Sequence, residues 1–152
     1  MLRVQHGLII NESVETVFPT LADFEAEPRW QPAVLETKLD PAGPVHIGTK
    51  TIQKRKFGGR TITTIGEIVE YEPNRRIVSR STPENPPPAF ETIYEVEPVQ
   101  EGTHVTYTIE LRGPGLFNLI APLMKGSLTK DIKTRFATLK TILETRHSLS
   151  ER

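Results

Sequence analysis

The chain of 152 residues contains no cysteine. This absence excludes disulfide bonds, thiolate metal sites and cysteine nucleophiles, and it is compatible with a reducing compartment. Long apolar runs are also missing, because no stretch approaches the roughly 18 uncharged apolar residues of a membrane-spanning helix. The N-terminal residues Met1 to His6 do not combine a basic segment with an apolar one, so they do not indicate export. We therefore expect a cytoplasmic protein without stable membrane insertion.

An excess of charge of either sign is lacking as well. Nineteen basic residues balance nineteen acidic ones, so the formal net charge is zero. A field over the whole domain that attracts nucleic acid is therefore not expected. With 36% apolar and 25% charged residues, the chain has the composition and length of one globular domain.

Recognisable catalytic motifs are absent too. The sequence has no Gly-x-Ser-x-Gly, no His-Glu-x-x-His and no P-loop. Gly113-Pro114-Gly115 lies between an expected strand and an expected helix, where it predicts a tight turn and not a dinucleotide loop. The four histidines are scattered, without partners at ligand-like spacing, so neither a metal site nor a cofactor is expected. The catalytic residues, if there are any, stay unknown at this point.

The first part of the chain predicts a strand followed by two short helices. Val4, Leu8 and Ile10 begin an extended segment. Ser13 then offers an N-cap to one helical stripe, formed by Val14, Val17, Phe18 and Leu21. Asp23 can cap a second short helix, which Pro28 and Pro32 prevent from continuing.

The middle of the chain predicts six further strands, separated by turn sequences and too closely spaced for intervening helices. This favours antiparallel hairpins, namely Val34–Asp40, Ile47–Lys56, Arg60–Tyr71, Arg76–Ser81, Ala89–Glu97 and Thr103–Arg112. Side chains alternate between the two faces in the last two strands. One face of Ala89–Glu97 carries Phe90, Thr92, Tyr94 and Val96, and one face of Thr103–Arg112 carries Val105, Tyr107, Ile109 and Leu111. One face of the sheet is therefore expected to be covered.

The cover is expected from a long C-terminal helix. A first apolar stripe comprises Leu116, Leu119, Ile120 and Leu123, and a second comprises Leu128, Ile132, Phe136, Leu139 and Leu143. The spacing slips by one residue near Gly126, which predicts a kink or break there and a helix proper from about Ser127 to Arg146. The prediction is thus an α+β fold in which a curved, seven-stranded antiparallel sheet wraps around this helix. One domain would span residues 1–147, followed by a frayed tail at 148–152.

A curved sheet around one helix leaves room for a cleft. Its candidate lining consists of Trp30, Phe90, Tyr94, Tyr107, Leu119, Leu123, Met124 and Phe136. Each of these residues could equally be simple core packing. The tyrosines are the more suggestive members, because a buried hydroxyl needs a hydrogen-bonding partner. Lys54-Arg55-Lys56 with Arg60 is interpreted as a solvated hairpin tip, with an anion clasp as the less favoured alternative.

The order of elements resembles that of the START-like, or SRPBCC, superfamily. The residues that carry the resemblance are Ile10 to Phe18, Asp23-Phe24-Glu25, Trp30-Gln31-Pro32, Gly48-Thr49, Glu70 to Arg76, Glu101 to Val105 and Leu139-Lys140. The resemblance covers nearly the whole chain. It implies the helix-grip fold and a ligand-binding cavity, as in polyketide cyclases and dehydrases and in lipid-transfer domains.

Three hypotheses about function follow from this resemblance and the residues. The first is a binding protein for a small hydrophobic or amphipathic ligand, such as a lipid, polyketide or aromatic molecule. The second is an enzyme of cyclase or dehydrase type, and the third is an interaction module with a filled core. A carboxylate or histidine buried within reach of a tyrosine would favour the enzyme. A homodimer stays open.

Overall fold

The computed structural model describes residues 1–150, with side chains up to Arg146. The elements follow the order β1 (Leu2–Ile10), α1 (Val14–Ala22), a 3₁₀ helix (Phe24–Arg29), β2 (Val34–Asp40), β3 (Lys50–Phe57), β4 (Arg60–Glu72), β5 (Arg76–Ser81), β6 (Ala89–Val99), β7 (Gly102–Arg112) and α2 (Gly115–Ser150). The predicted strand, two short helices, six strands and long helix are therefore confirmed. The third predicted strand starts later than expected, at Lys50, and Ile47 lies in the preceding loop.

The seven strands form one antiparallel sheet in the order β1-β7-β6-β5-β4-β3-β2. Consecutive strands from β2 to β7 pair as hairpins, and β1 pairs with β7. The β3–β4 turn has only two residues, Gly58 and Gly59, both at positive φ. Glycine adopts this conformation without steric cost, as two-residue hairpin turns require.

The two short helices cover one part of the sheet. Helix α1 buries its predicted stripe, and its first turn begins after Ser13. The Ser13 side chain does not cap the helix, because its hydroxyl pairs with that of Thr16. The second helix is a single 3₁₀ segment that packs against β2. It brings Glu27 and Trp30 into the interior.

Helix α2 is one continuous helix from Gly115, so the predicted break at Gly126 and the predicted helix start near Ser127 are both wrong. A glycine inside a helix costs only about 1 kcal/mol relative to alanine, which long flanking segments tolerate. Within this unbroken helix, the five residue steps from Leu123 to Leu128 rotate the side-chain direction by about 500°, or about 140° beyond one full turn. The two apolar stripes consequently point in different directions. The predicted tail at 148–152 lies partly outside the described residues, and within them α2 extends to Ser150.

The second stripe of α2 faces the sheet. Ile132, Phe136, Leu139 and Leu143 are almost completely buried. The inner face of the first half of the helix is formed instead by Phe117, Ala121 and Met124. None of the described helices is long and apolar enough to cross a membrane.

Candidate functional site

A carboxylate lies buried between the 3₁₀ helix and the sheet. Glu27 is only 5% exposed. Its Oε1 accepts hydrogen bonds from Thr37 Oγ1 over 2.7 Å and from Gln53 Nε2 over 3.1 Å, and its Oε2 accepts one from Gln31 Nε2 over 3.1 Å. The inner face of β2 and β3 thus supplies polar side chains to this point of the interior.

Burial changes the protonation of this carboxylate. Loss of solvation raises the pKa of Glu27, since burial disfavours the charged form. The hydrogen bonds from Thr37 and Gln53 and the positive charge of Arg135 oppose that shift without cancelling it. Glu27 is therefore a group that can hold a proton at a higher pH than an exposed glutamate does.

A guanidinium lies in the same interior. Arg135 is 4% exposed and belongs to the buried side of α2, where it forms an ion pair with Asp131 one helical turn earlier. Its guanidinium carbon is 5.8 Å from the centroid of the Tyr107 ring. Burial by itself would lower the pKa of Arg135, but the neighbouring Tyr107 and Asp131 outweigh it and raise the pKa. The side chain therefore stays cationic.

Two tyrosines face each other beside this guanidinium. Tyr94 and Tyr107 are register partners on β6 and β7, with ring centroids 5.1 Å apart. Burial raises the pKa of both hydroxyls, and the charge of Glu27 adds to the increase. Phe136 contacts both rings and also packs against the indole of Trp30, with centroids 5.4 Å apart.

We refer to Glu27, Trp30, Tyr94, Tyr107 and Arg135 as the interior polar cluster. Two of its nitrogens are unsatisfied: Trp30 Nε1 and Arg135 Nε are buried and have no hydrogen-bond partner among residues 1–146. Buried donors without partners are rare in folded proteins, because each loses its bonds to water on folding. The cluster therefore has hydrogen-bonding capacity to spare, and both free groups are donors.

A second arginine borders the cluster. The prediction that Arg55 belongs to a solvated hairpin tip is wrong, because its side chain is mostly buried and lies 4.0 Å from Asp131 of α2. Strand alternation explains the error, since Thr51, Gln53 and Arg55 share the inner face while Lys54 and Lys56 point to solvent. Burial, and then the charge of Arg135, lower the pKa of Arg55.

An apolar track leads from the cluster to one end of the sheet. Register places Phe90 opposite Leu111, four residues beyond the Tyr94–Tyr107 pair. Met124 and Leu128 of α2 also pack against the core from the helix side. All four side chains are half-buried. We call these residues (Phe90, Leu111, Met124 and Leu128) the apolar track.

The end of the sheet that the track reaches is defined by three segments. β7 ends at Arg112 opposite Ala89, so the β5–β6 loop and the start of α2 lie together. Gly66 of β4 is opposite Ser81, and β4 extends past this pair to the β3–β4 turn. We call this end the apex; it comprises residues 57–60, 82–88 and 115–125.

The predicted lining is mostly, but not entirely, inside. The structure places Trp30, Tyr94, Tyr107 and Phe136 in the buried centre, and Phe90 and Met124 along the track. Leu119 and Leu123 are 75% and 82% exposed, so their assignment to the interior is wrong. They belong to the stripe of α2 that the unbroken helix turns outward. Whether the six interior residues bind a ligand stays a prediction.

Sequence reasoning missed the charged members of the cluster. Arg135 had a usable signal, because it stands three residues after Ile132 and four before Leu139, on the buried stripe. No sequence signal marked Glu27, since the orientation of a side chain in a short 3₁₀ helix does not follow from periodicity. Without these two residues, the interior could only be predicted as aromatic and apolar.

Surface pockets and metal-binding groups are the two other kinds of site to consider among the described residues. Two surface pockets lie near the start of α1 and beside the β5–β6 loop, and neither is lined by any predicted lining residue. Among the described residues, no group of three or more histidine, aspartate or glutamate side chains is placed to hold a metal ion.

The raised pKa of Glu27 gives a first prediction. The folded protein holds this proton more tightly than the unfolded chain, so the associated stability is complete below the unfolded pKa of about 4.5 and is lost as the pH rises through the folded value. Glutamine does not ionise, so Glu27→Gln removes this loss of stability at higher pH. We expect the free energy of unfolding of the variant, relative to that of the unsubstituted protein, to rise with pH in urea titrations between pH 4.5 and 8.

The control for this titration is Glu25→Gln, an exposed position in the same 3₁₀ helix. It is expected to leave the dependence of stability on pH unchanged. Parallel pH profiles for Glu27→Gln and the unsubstituted protein would show that the Glu27 proton is not linked to folding.

The chain belongs to the family of polyketide cyclases, dehydrases and lipid-transport proteins, whose sequence model matches residues 1–144. No curated protein matches the chain in sequence. The fold is that of the START-like, helix-grip proteins. A START superfamily protein from Mycobacterium smegmatis has a TM-score of 0.72 at 16% identity, covering 94% of this chain and 97% of that one.

Two other solved structures resemble the chain. A protein from Nitrosomonas europaea has a TM-score of 0.75 at 16% identity, with 97% of both chains covered. The di-domain ARO/CYC StfQ from the steffimycin biosynthetic pathway has a TM-score of 0.78 at 14% identity; the match covers 97% of this chain and 52% of StfQ. At these identities the likeness concerns the fold.

Proposed function

We propose that the protein binds a small amphipathic molecule that carries an acidic oxygen, such as a carboxylate, an enol or a phenol. The apolar body would lie along the apolar track, and the oxygen would lie at the interior polar cluster. The observation that carries this proposal is the buried guanidinium of Arg135, whose Nε has no partner among residues 1–146. The absence of cysteine supports a cytoplasmic setting for this activity.

The charge of the cluster indicates which end of a ligand it would receive. Arginine presents a planar set of donors that fits carboxylate oxygens in pairs, and Asp131 occupies only part of that set. The indole nitrogen of Trp30 is a second donor. Donors need an acceptor, and a cationic donor is best satisfied by an anionic or acidic one.

The apolar track fits the other end of such a molecule. Burial of an apolar body contributes on the order of 25 cal/mol per Å² before the costs of binding are subtracted. The half-buried residues of the track leave apolar surface for this purpose. An aromatic or acyl body of modest size therefore suits the interior better than a fully polar metabolite.

A second candidate function is proton transfer of the cyclase or dehydrase kind. It is favoured by Glu27, a buried carboxylic group whose charge acts on both tyrosines. In its ionised form Glu27 would remove a proton from carbon beside a carbonyl. The electron pair of that C–H bond would move to the carbonyl oxygen, where the cation of Arg135 would stabilise the enolate. StfQ, whose fold is similar, is described as an ARO/CYC.

The binding proposal is tested with a matched pair of probes, naphthalene-2-carboxylate and 2-naphthylmethanol. Isothermal titration should show that the acid binds at least about tenfold more tightly, because hydrogen bonds to charged groups contribute about 1.5–3 kcal/mol. Arg135→Met keeps an unbranched apolar stem and removes the charged guanidinium. It should abolish the preference for the acid while leaving a weak affinity for both probes.

Arg146→Met, at an exposed position of the same helix, is the matched control and should retain the preference. Equal affinity of the unsubstituted protein for acid and alcohol would contradict the proposal. So would an acid preference that survives in Arg135→Met.

A further inference from the structure

The outward stripe of α2 contributes four of the nine large apolar side chains that are exposed among residues 1–146. Leu116, Leu119 and Leu123 are each more than 70% exposed, and Ile120 is 43% exposed. The opposite side of the same turns already packs through Phe117 and Ala121. Single exposed leucines are ordinary, but four large apolar side chains on one face of about two helical turns form a continuous surface.

A second apolar group lies at the same end of the molecule. Phe57 precedes the β3–β4 turn and is 56% exposed. The strand register places this turn and the start of α2 at the same end of the sheet, the apex. The apex therefore presents an apolar helix face and an aromatic hairpin tip on one end of the sheet.

The charge around these residues has one dominant sign, although the whole chain is neutral. Residues 54–66 and 111–130 contain no aspartate or glutamate, and the one acid of the β5–β6 loop is Glu84. Lys56, Arg60 and Lys125 are exposed and form no ion pair with any side chain of residues 1–146. The apolar surface is thus rimmed by free cations.

We propose that the apex docks onto the surface of an anionic lipid bilayer. An exposed leucine-rich helix face beside lysine and arginine is the composition of helices that lie in a membrane interface. Cations near the surface of an anionic leaflet are attracted to it, whereas phosphatidylcholine alone offers no such attraction. The mode is peripheral adsorption, which needs no membrane-spanning helix.

Charge also distinguishes this occupant from a second copy of the chain. A symmetric dimer through the apex would bring Lys56, Arg60 and Lys125 of two copies close together, and like charges facing each other oppose association. Phe90 and Leu111 of the apolar track lie toward the same end of β6 and β7. In the docked protein, the end of the apolar track at the apex would therefore face the lipid.

The test is co-sedimentation with vesicles, which does not depend on the interior ligand. Vesicles of equal parts phosphatidylglycerol and phosphatidylcholine should bind the protein at least tenfold more tightly than phosphatidylcholine vesicles, and the difference should shrink from 0.1 to 0.5 M NaCl. The variant Leu119→Ser with Leu123→Ser should weaken binding to the anionic vesicles at least tenfold. Both positions are solvent-exposed, so the fold and melting temperature should be unchanged.

The two control positions, Ile47 and Arg75, lie at the opposite end of the sheet from the apex. Ile47→Ser removes an apolar side chain that is 63% exposed in the β2–β3 loop, and it should bind like the unsubstituted protein. Lys56→Glu with Arg60→Glu should abolish the preference for anionic vesicles, whereas Arg75→Glu, in the β4–β5 turn, should preserve it.

Three results would overturn the proposal. One is equal binding to the two kinds of vesicle, and another is a loss in Ile47→Ser as large as in the double serine variant. The third is a dimer in analytical ultracentrifugation that the double serine variant dissociates, which would assign the surface to a second copy. Each result is separable from the acid-binding test, because that test uses no lipid.

Discussion

Replacement of Phe136 by alanine is expected to lower the free energy of unfolding by about 3–5 kcal/mol, as for other buried phenylalanines. The ring is fully buried on the inner side of α2. It contacts Trp30, Tyr94 and Tyr107 at centroid distances of 5.3–6.3 Å. These aromatic neighbours come from the sheet and the segment after the 3₁₀ helix, so they cannot collapse together into the space that the ring leaves.

The measurement is urea denaturation at one pH, followed by the fluorescence of Trp30, the sole tryptophan. Leu119→Ala is the matched control on the same helix, and its effect should stay within about 0.5 kcal/mol because the side chain is already in solvent. Similar losses for the two variants would contradict the assignment of the inner and outer faces of α2.

The second large effect is expected at Gly102, where β7 begins. Its φ of +141° is one that L-residues rarely adopt, and an added Cβ would lie 2.3 Å from the carbonyl oxygen of Ile10 and 2.8 Å from the nitrogen of Glu12. Both neighbours are backbone atoms, so the clash can be relieved only by moving β1 away from β7. Gly102→Ala should therefore destabilise the protein by about 3 kcal/mol, combining backbone strain and overpacking.

Gly126→Ala is the matched control for this substitution. Gly126 lies inside α2, and an added Cβ there meets no atom within 4 Å. Because alanine is the better helix former, this variant should be more stable than the unsubstituted protein by about 0.5–1 kcal/mol. A Gly102→Ala variant that unfolds at the same urea concentration as Gly126→Ala would contradict the close approach of β1 and β7.

The element order was predictable because each segment carried a local signal. Alternation in β6 and β7, the turn residues between strands and the stripe from Leu128 to Leu143 are all readable in sequence. The break at Gly126 was mispredicted because a slip in apolar spacing can mean either a broken helix or two faces of one helix. Only tertiary packing decides between them, and here it leaves the first stripe in solvent.

The site was predictable only in its aromatic part. Tyr94 and Tyr107 follow from strand alternation, and Phe136 follows from the helical stripe. The charged part depends on contacts between segments distant in sequence, such as the hydrogen bonds from Thr37 and Gln53 to Glu27. The charged residues matter, because a buried carboxylate beside a tyrosine pair changes the expected cavity from an apolar one to one with a polar end.

The most direct test of acid binding at the interior polar cluster uses the indole N–H of Trp30 in ¹⁵N-labelled protein. As the chain has one tryptophan, its indole signal needs no assignment. Titration with naphthalene-2-carboxylate should shift this signal to saturation, because a bound acceptor would satisfy a buried donor that lacks a partner within residues 1–146. 2-Naphthylmethanol should shift it less at equal occupancy. An indole signal that stays fixed while the acid binds would contradict an acid-binding site at the interior polar cluster.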